Sequence, residues 1–220
     1  EHQKDVDVIE APRSTGSILK PYLYAAMLND GYILPQTLVP DVPTQISGYA
    51  PQNFNLTYDG AVPASRALAR SLNIPSVLML QDYSVNQFYE KLQQLKLRNV
   101  NRQPSNYGLS LILGGAESNL WDLCKAYAYM SSTLTYFNQN DSKYRKNEML
   151  NLNYDADFQP DFGSSSRQKN IFGAGAIWQT FNAMKEVNRP EGDEAWKFYD
   201  SSLEIAWKTG TSFGSRDAWA

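Results

Sequence analysis

Histidine and cysteine are all but absent from this chain of 220 residues, which has one of each, His2 and Cys124. A single histidine in a polar N-terminal stretch removes Ser-His-Asp and Cys-His hydrolases and most His-rich zinc sites. A serine or threonine nucleophile here has to be activated by something other than imidazole, and lysine is the usual substitute. One cysteine cannot form an intrachain disulfide, which is compatible with any compartment. Positive charge is not in surplus either: 20 Lys and Arg against 23 Asp and Glu leave a net charge of −3. That balance provides no basic field for nucleic acid or anionic lipid. No apolar run approaches the ~20 residues that cross a bilayer. The opening EHQKDVDVIEAPRST has no hydrophobic signal core and no initiator Met, so the chain reads as a piece of something longer.

Aromatic side chains are plentiful, with 9 Phe, 14 Tyr and 5 Trp, and they argue for a packed globule over a disordered chain. The spacing predicts a helix from about Ser17 to Asn29, stopped at Gly31. Residues 32–60, broken by Pro35, Pro40, Pro43 and Pro51, read as extended loop. Short helices are expected after Pro63 and over Ile74–Tyr83. Another over 84–97 would turn Phe88, Leu92 and Leu95 to a core. Helices are expected again from Asn119 to Ser132 and over 171–187. Between them, residues 135–170 form a polar, exposed connection with room for a hairpin. The strand signal gathers at the C-terminus, in residues 202–212 and again at 217–220.

Three short patterns carry chemistry. Ser17-Ile18-Leu19-Lys20 sets a hydroxyl and an amine three residues apart, on one helix face. A neutral lysine amine can take the serine proton, and the positive end of a helix dipole favours an oxyanion beside it. Pro21 has no N–H for the Ser17 carbonyl, so the first turn is expected to be loosened. Ser71-Leu72-Asn73 offers a hydroxyl to relay a proton and a carboxamide to hold a substrate amide. Lys208-Thr209-Gly210-Thr211 ends a strand: Lys208 can attract a carboxylate, Thr209 and Thr211 offer hydroxyls, and the Thr211 N–H can face an oxyanion. Gly210 would let a ligand backbone approach closely. Each pattern has an ordinary reading too, as a helix start, a helix cap and a strand end. Two have look-alikes: Ser166-Arg167-Gln168-Lys169 in a serine-rich loop, and Ser84-Val85-Asn86 at an expected helix N-cap.

Taken in order, SxxK, SxN and KTG are the three elements of the penicilloyl serine transferases. The chain resembles the transpeptidase domain of class A high-molecular-weight penicillin-binding proteins. The likeness extends to RSTGSILKPYLYAAMLNDG, YAPQNFNLTYDGAVPASRALARSLNIPSV, LSLILGGAESNLWDLCKAYA and AWKTGTSFGSRDAWA; residues 135–170 take no part in it. It implies an α+β, serine β-lactamase-like fold over residues 1–220, a helical subdomain beside an antiparallel sheet. That sheet is expected to be incomplete here or completed by another chain, with acylation slower than in a longer piece. The implied activity is D,D-transpeptidation of peptidoglycan stem peptides through a serine acyl-enzyme, inhibited covalently by β-lactams.

The resemblance also implies roles. Ser17 is the acylated nucleophile, Lys20 its proton acceptor, and Ser71 the link from that lysine to the leaving amine. Asn73 holds the substrate's amide, while Lys208 and Thr209 dock the terminal carboxylate of a D-Ala-D-Ala stem. The backbone N–H groups of Ser17 and Thr211 form the oxyanion hole. No cofactor or metal is called for. The implied partners are a D-Ala-D-Ala donor, an amine acceptor and β-lactams. The parent protein would carry a glycosyltransferase domain and a membrane anchor and act outside the cytoplasm, at the periplasmic face of the membrane.

The rival readings are two enzymes, a β-lactamase and a D,D-carboxypeptidase, and one that is not an enzyme, a penicillin sensor acylated once without turnover or a degenerate domain that only binds. A class A β-lactamase needs a glutamate to activate the deacylating water. Glu148-Met149-Leu150-Asn151 is one residue short of the usual Glu-x-x-Leu-Asn spacing. A carboxypeptidase shares the acyl-enzyme and differs only in whether water or an amine attacks it.

Overall fold

The computed structural model describes residues 7–46, 48–151, 157–186 and 205–220. His2, the start of the expected strand at 202–204 and the last residue of the expected helix at 187 lie outside them. In chain order the first half runs β1 (Arg13–Ser14), α1 (Lys20–Asn29), β2 (Leu38–Asp41), β3 (Gly60–Pro63), α2 (Ala64–Ala69), α3 (Asn73–Tyr83) and α4 (Val85–Gln94). The second half runs α5 (Pro104–Tyr107), β4 (Glu117–Ser118), α6 (Leu120–Gln139), β5 (Tyr144–Arg145), β6 (Ser165–Ser166), α7 (Ala174–Lys185), β7 (Gly210–Thr211) and β8 (Ala218–Trp219). The class is α+β, as expected. The strands pair antiparallel two by two, β1 with β4, β2 with β3, β5 with β6 and β7 with β8.

Helix α1 is the axis. Its sequence KPYLYAAMLN is apolar around most of the circumference, and every residue from Lys20 to Met27 is buried. It packs against α2, α3, α4 and α7, and α7 packs in turn on α6. Tyr22, Leu23, Tyr24 and Met27 meet Leu68, Leu80, Phe88 and Phe172 in one continuous core. Truncating any of these large side chains to alanine is a change of about 2–5 kcal/mol. Phe88, Leu92 and Leu95 are fully buried, so the i, i+4, i+7 stripe faces the core as its spacing demands.

Three sequence expectations are corrected. Helix α1 begins at Lys20 and not at Ser17. With no N–H at Pro21, the Ser17 carbonyl accepts from the Lys20 N–H at 3.2 Å, one residue closer than an α-helical bond, and Ser17 sits in the turn ahead of the helix. The proline-rich stretch is not all loop: β2 pairs with β3 over four residues, Leu38 with Pro63 through to Asp41 with Gly60. A two-stranded ribbon leaves each strand an outer edge where proline forfeits no ladder bond. Of the expected strand at 202–212, Gly210 and Thr211 alone among the described residues pair, with Trp219 and Ala218, so Lys208 and Thr209 precede the strand.

The polar connection is also more ordered than its composition suggests. Its first residues belong to α6, and β5 and β6 supply the expected hairpin. Arg145 lies between the rings of Tyr136 and Phe162, 4.1 and 3.9 Å from their centroids, and pairs with buried Glu148 at 3.6 Å. Stacking on two rings and one carboxylate gives this polar segment an anchor.

Candidate active site

Two glycines bring the ends of the chain together. A Cβ on Gly16, at φ +49°, would stand 2.6 Å from the Thr211 carbonyl oxygen. One on Gly210 would stand 2.9 Å from the Thr15 carbonyl and 3.0 Å from the Ile18 nitrogen. The close approach at Gly210 is therefore made by the chain's own Thr15–Ile18 turn, in place of the ligand backbone expected from the sequence. Further ties hold the two segments in place. Thr15 donates its N–H to the Ala116 carbonyl at 3.0 Å, and its hydroxyl reaches the same oxygen. The Trp219 indole donates to the Ser14 carbonyl at 2.8 Å, and the Asp217 carboxylate accepts from the Ser14 N–H at 3.3 Å.

Ser71 owes its position to the way α2 ends. The Leu72 N–H bonds the Ala67 carbonyl at 3.0 Å and the Ser71 N–H bonds the Leu68 carbonyl at 2.9 Å. This is a Schellman termination, which needs a left-handed residue, and Ser71 supplies it at φ +55°. A serine in that conformation carries backbone strain on the order of 1 kcal/mol or more. The turn lifts the Ser71 hydroxyl to the two lysines and starts α3 two residues later, at Asn73.

All eight residues of the three motifs converge. Ser17, Ser71, Asn73, Thr209 and Thr211 line one cleft of 340 Å³, together with Phe54, Arg70 and Leu113. Beneath it lie Lys20 and Lys208, both buried, with Gly210 against the Thr15–Ile18 turn. Lys208 Nζ donates to Ser71 Oγ at 2.7 Å and to the Thr209 carbonyl at 2.6 Å. Lys20 Nζ lies within hydrogen-bond reach of the Asn73 carboxamide oxygen at 2.7 Å and of the carbonyls of Ser71 and Leu72 at 2.8 and 3.2 Å, three acceptors of which a neutral amine, with two hydrogens, donates to two. It also approaches Ser71 Oγ at 3.5 Å. The Ser71 hydroxyl thus stands between two amines. The Ser17 hydroxyl is left open to the cleft, with no hydrogen-bond partner among the described residues, so the expected Ser17–Lys20 pair shares a turn without a direct bond.

The electrostatics favour a neutral amine. Burial, with the Lys208 charge in second place, holds the Lys20 amine well below the ordinary lysine range. Burial pulls Lys208 down to about 8. Of the two lysines, Lys20 is the stronger candidate for a free base at neutral pH, and Lys208 for a retained charge.

The look-alikes fall elsewhere. Ser166 and Lys169 are exposed in and beside β6, where Lys169 Nζ bonds the Asn29 carbonyl at 3.1 Å. Ser84 holds the N-cap position of α4 at φ +82° without a side-chain cap bond. Glu148 accepts from Ser132 and pairs with Arg145, and it is not among the residues lining the cleft. Sequence reasoning missed Gly16, Asp217, Trp219 and the pair Asp41–Asn53 behind Asn73. Of these only Gly16 carried a local signal, next to Ser17; the rest make contacts across long stretches of chain.

Comparison with known proteins identifies the family. Residues 3–214 match the family model described as the penicillin-binding protein transpeptidase domain. The chain is 36% identical over 219 residues to penicillin-binding protein 1C of Escherichia coli K12, covering 98% of this chain and 25% of that protein. It is 30% identical to penicillin-binding protein 1B of Vibrio cholerae, covering 96% of this chain and 27% of the relative. The chain thus spans about a quarter of the length of these relatives. The crystal structure of penicillin-binding protein 1A from Haemophilus influenzae superposes with a TM-score of 0.68 at 19% identity, over 99% of this chain and 37% of that one, a likeness of fold. With one family model spanning nearly all of its residues, the chain belongs to the penicillin-binding protein transpeptidase family, among the domains of the class A proteins.

Proposed function

We propose that this domain is a serine D,D-transpeptidase that cross-links peptidoglycan stem peptides. The observation that carries the reading is the Ser71 hydroxyl held between Lys20 and Lys208 at the floor of a cleft into which Ser17 opens. Ser17 Oγ attacks the carbonyl carbon of the penultimate D-alanine while the neutral Lys20 amine takes its proton. The backbone N–H groups of Ser17 and Thr211 hold the oxyanion. As the tetrahedral centre collapses, the C–N bond breaks. The leaving D-alanine nitrogen takes a proton passed from Lys20 through Ser71. Lys208 and Thr209 hold the terminal carboxylate and Asn73 the substrate amide. An acceptor amine then attacks the ester, giving up its proton along the same path, and a new amide forms as Ser17 is released.

In a β-lactam the leaving nitrogen stays tethered, so the acyl-enzyme persists. In the longer protein the domain would work on the outer face of the membrane beside a glycosyltransferase unit; among the described residues no helix is long and apolar enough to cross a membrane. Intact-mass spectrometry after incubation with a penicillin tests the reading. One β-lactam mass on the peptide holding Ser17, and none on the Ser17→Ala variant, is expected. Labelling at Ser166, or full labelling of Ser17→Ala, overturns it. Incubation with a D-Ala-D-Ala peptide and an amine separates transpeptidation from carboxypeptidation by the product, amide or free acid.

A further inference from the structure

The loop between β2 and β3 reaches back to the start of α3. Asn53 is buried, at 2% exposure, and both polar atoms of its side chain are engaged. Its carboxamide oxygen accepts from the Asn73 N–H at 3.0 Å and the Ile74 N–H at 3.3 Å, capping a helix whose own N-cap residue, Leu72, has no side chain to do so. Its Nδ2 donates to the Asp41 carboxylate at 2.7 Å and to the Thr57 carbonyl at 2.9 Å. Asp41, at the end of β2, is fully buried, and its second oxygen accepts from the Asp59 N–H at 3.0 Å. The residue before Asn53 completes the hold, since the Gln52 carbonyl accepts from Asn73 Nδ2 at 2.8 Å.

These contacts fix which way the Asn73 amide faces. Its oxygen accepts from Lys20 Nζ and one of its N–H bonds goes to Gln52. Reversing the amide would set NH2 against an amine that donates and a carbonyl against a carbonyl. The second Nδ2 hydrogen has no partner among the described residues, and Asn73 lines the cleft.

We propose that Asn53, braced by Asp41, is a positioning residue that fixes the Asn73 carboxamide so that its free N–H receives the carbonyl of the substrate's acylamido group. The inference rests on the acyl-transfer reading above. Asn53 touches no substrate; it acts through Asn73 and through the carbonyl of Gln52.

The test compares two penicillins that share a nucleus, benzylpenicillin with an acylamido side chain and 6-aminopenicillanic acid without one. Second-order acylation rates are measured for wild type, Asn53→Ala, Asp41→Asn and the double variant Asn53→Asp/Asp41→Asn. Losing one positioned hydrogen bond predicts a fall of about tenfold for benzylpenicillin in Asn53→Ala and a fall below about threefold for 6-aminopenicillanic acid. Asp41→Asn should show the same selective loss more weakly, and it carries the test if Asn53→Ala does not fold. The double variant reverses the donor and acceptor at the Asp41–Asn53 bond, and should recover part of the selectivity. Equal losses for both penicillins, or no loss, overturn the positioning role. Absence of any Ser17 adduct on the wild-type domain with either penicillin would instead overturn the acyl-transfer reading.

Discussion

Lys208 donates a 2.7 Å hydrogen bond to the hydroxyl of Ser71, 137 residues earlier in the chain. Lys20 approaches the same oxygen at 3.5 Å, and the proposed mechanism gives the two lysines different tasks although one atom joins them. Arginine cannot serve as a base at neutral pH. Lys20→Arg should therefore lose acylation by ~10²–10⁴-fold, the usual worth of a positioned base. Lys208→Arg keeps the charge that attracts a carboxylate and should retain part of the rate. Stopped-flow acylation of the two variants makes the comparison, and matched losses would refute the division of roles.

The rate should follow a bell in pH. The proposed mechanism needs a neutral Lys20, so acylation should rise with pH through its depressed pKa. It also needs a charged Lys208 to hold the carboxylate, so the rate should fall again as pH rises through about 8. The profile of the second-order rate reports these groups in the free enzyme. In Lys208→Arg the alkaline limb should move up beyond the measurable range, and an unmoved limb would assign it to another group.

Ser71 sets stability against activity. Ser71→Gly should relieve the left-handed backbone and raise stability by about 1 kcal/mol, while acylation collapses with the loss of the bridging hydroxyl. Ser71→Ala should lose the same activity without the gain. Thermal melts beside acylation rates decide it; a Gly variant no more stable than the Ala variant would show that the turn holds no strain.

Gly210→Ala should unfold the site from beneath. The added methyl would stand 2.9 Å from the Thr15 carbonyl, within backbone that cannot yield cheaply. A loss of about 1–3 kcal/mol is expected from such overpacking. Ser17 labelling should weaken with it. An unchanged melt with intact labelling would mean that the two segments are free to separate.

The three motifs were legible because their chemistry is local: each needs two or three residue types within four positions. The helical core was legible for the same reason, in the period of Phe88, Leu92 and Leu95. Helix starts were less so, since Pro21 shifted the first bond of α1 by one residue and moved its start to Lys20. The prolines of residues 35–51 hid β2, whose partner β3 lies some twenty residues on. Nothing near Asn73 announces that Asn53 caps its helix, nor does the strand at Gly210 announce that Thr15 lies against it. Those contacts exist only once distant segments are brought together.

The backbone contact across Gly16 and Gly210 also has a consequence for inhibitor escape. Along that seam neither segment can accept even a methyl group, so the floor of the cleft offers few substitutions that leave the domain folded. The rim is different. Phe54 is 97% exposed, and Arg70 is held at the mouth by its ion pair with Asp59. Variants that discriminate between inhibitors should accumulate on this outer edge, and a compound drawing its affinity from the seam would leave the chain few routes to resistance.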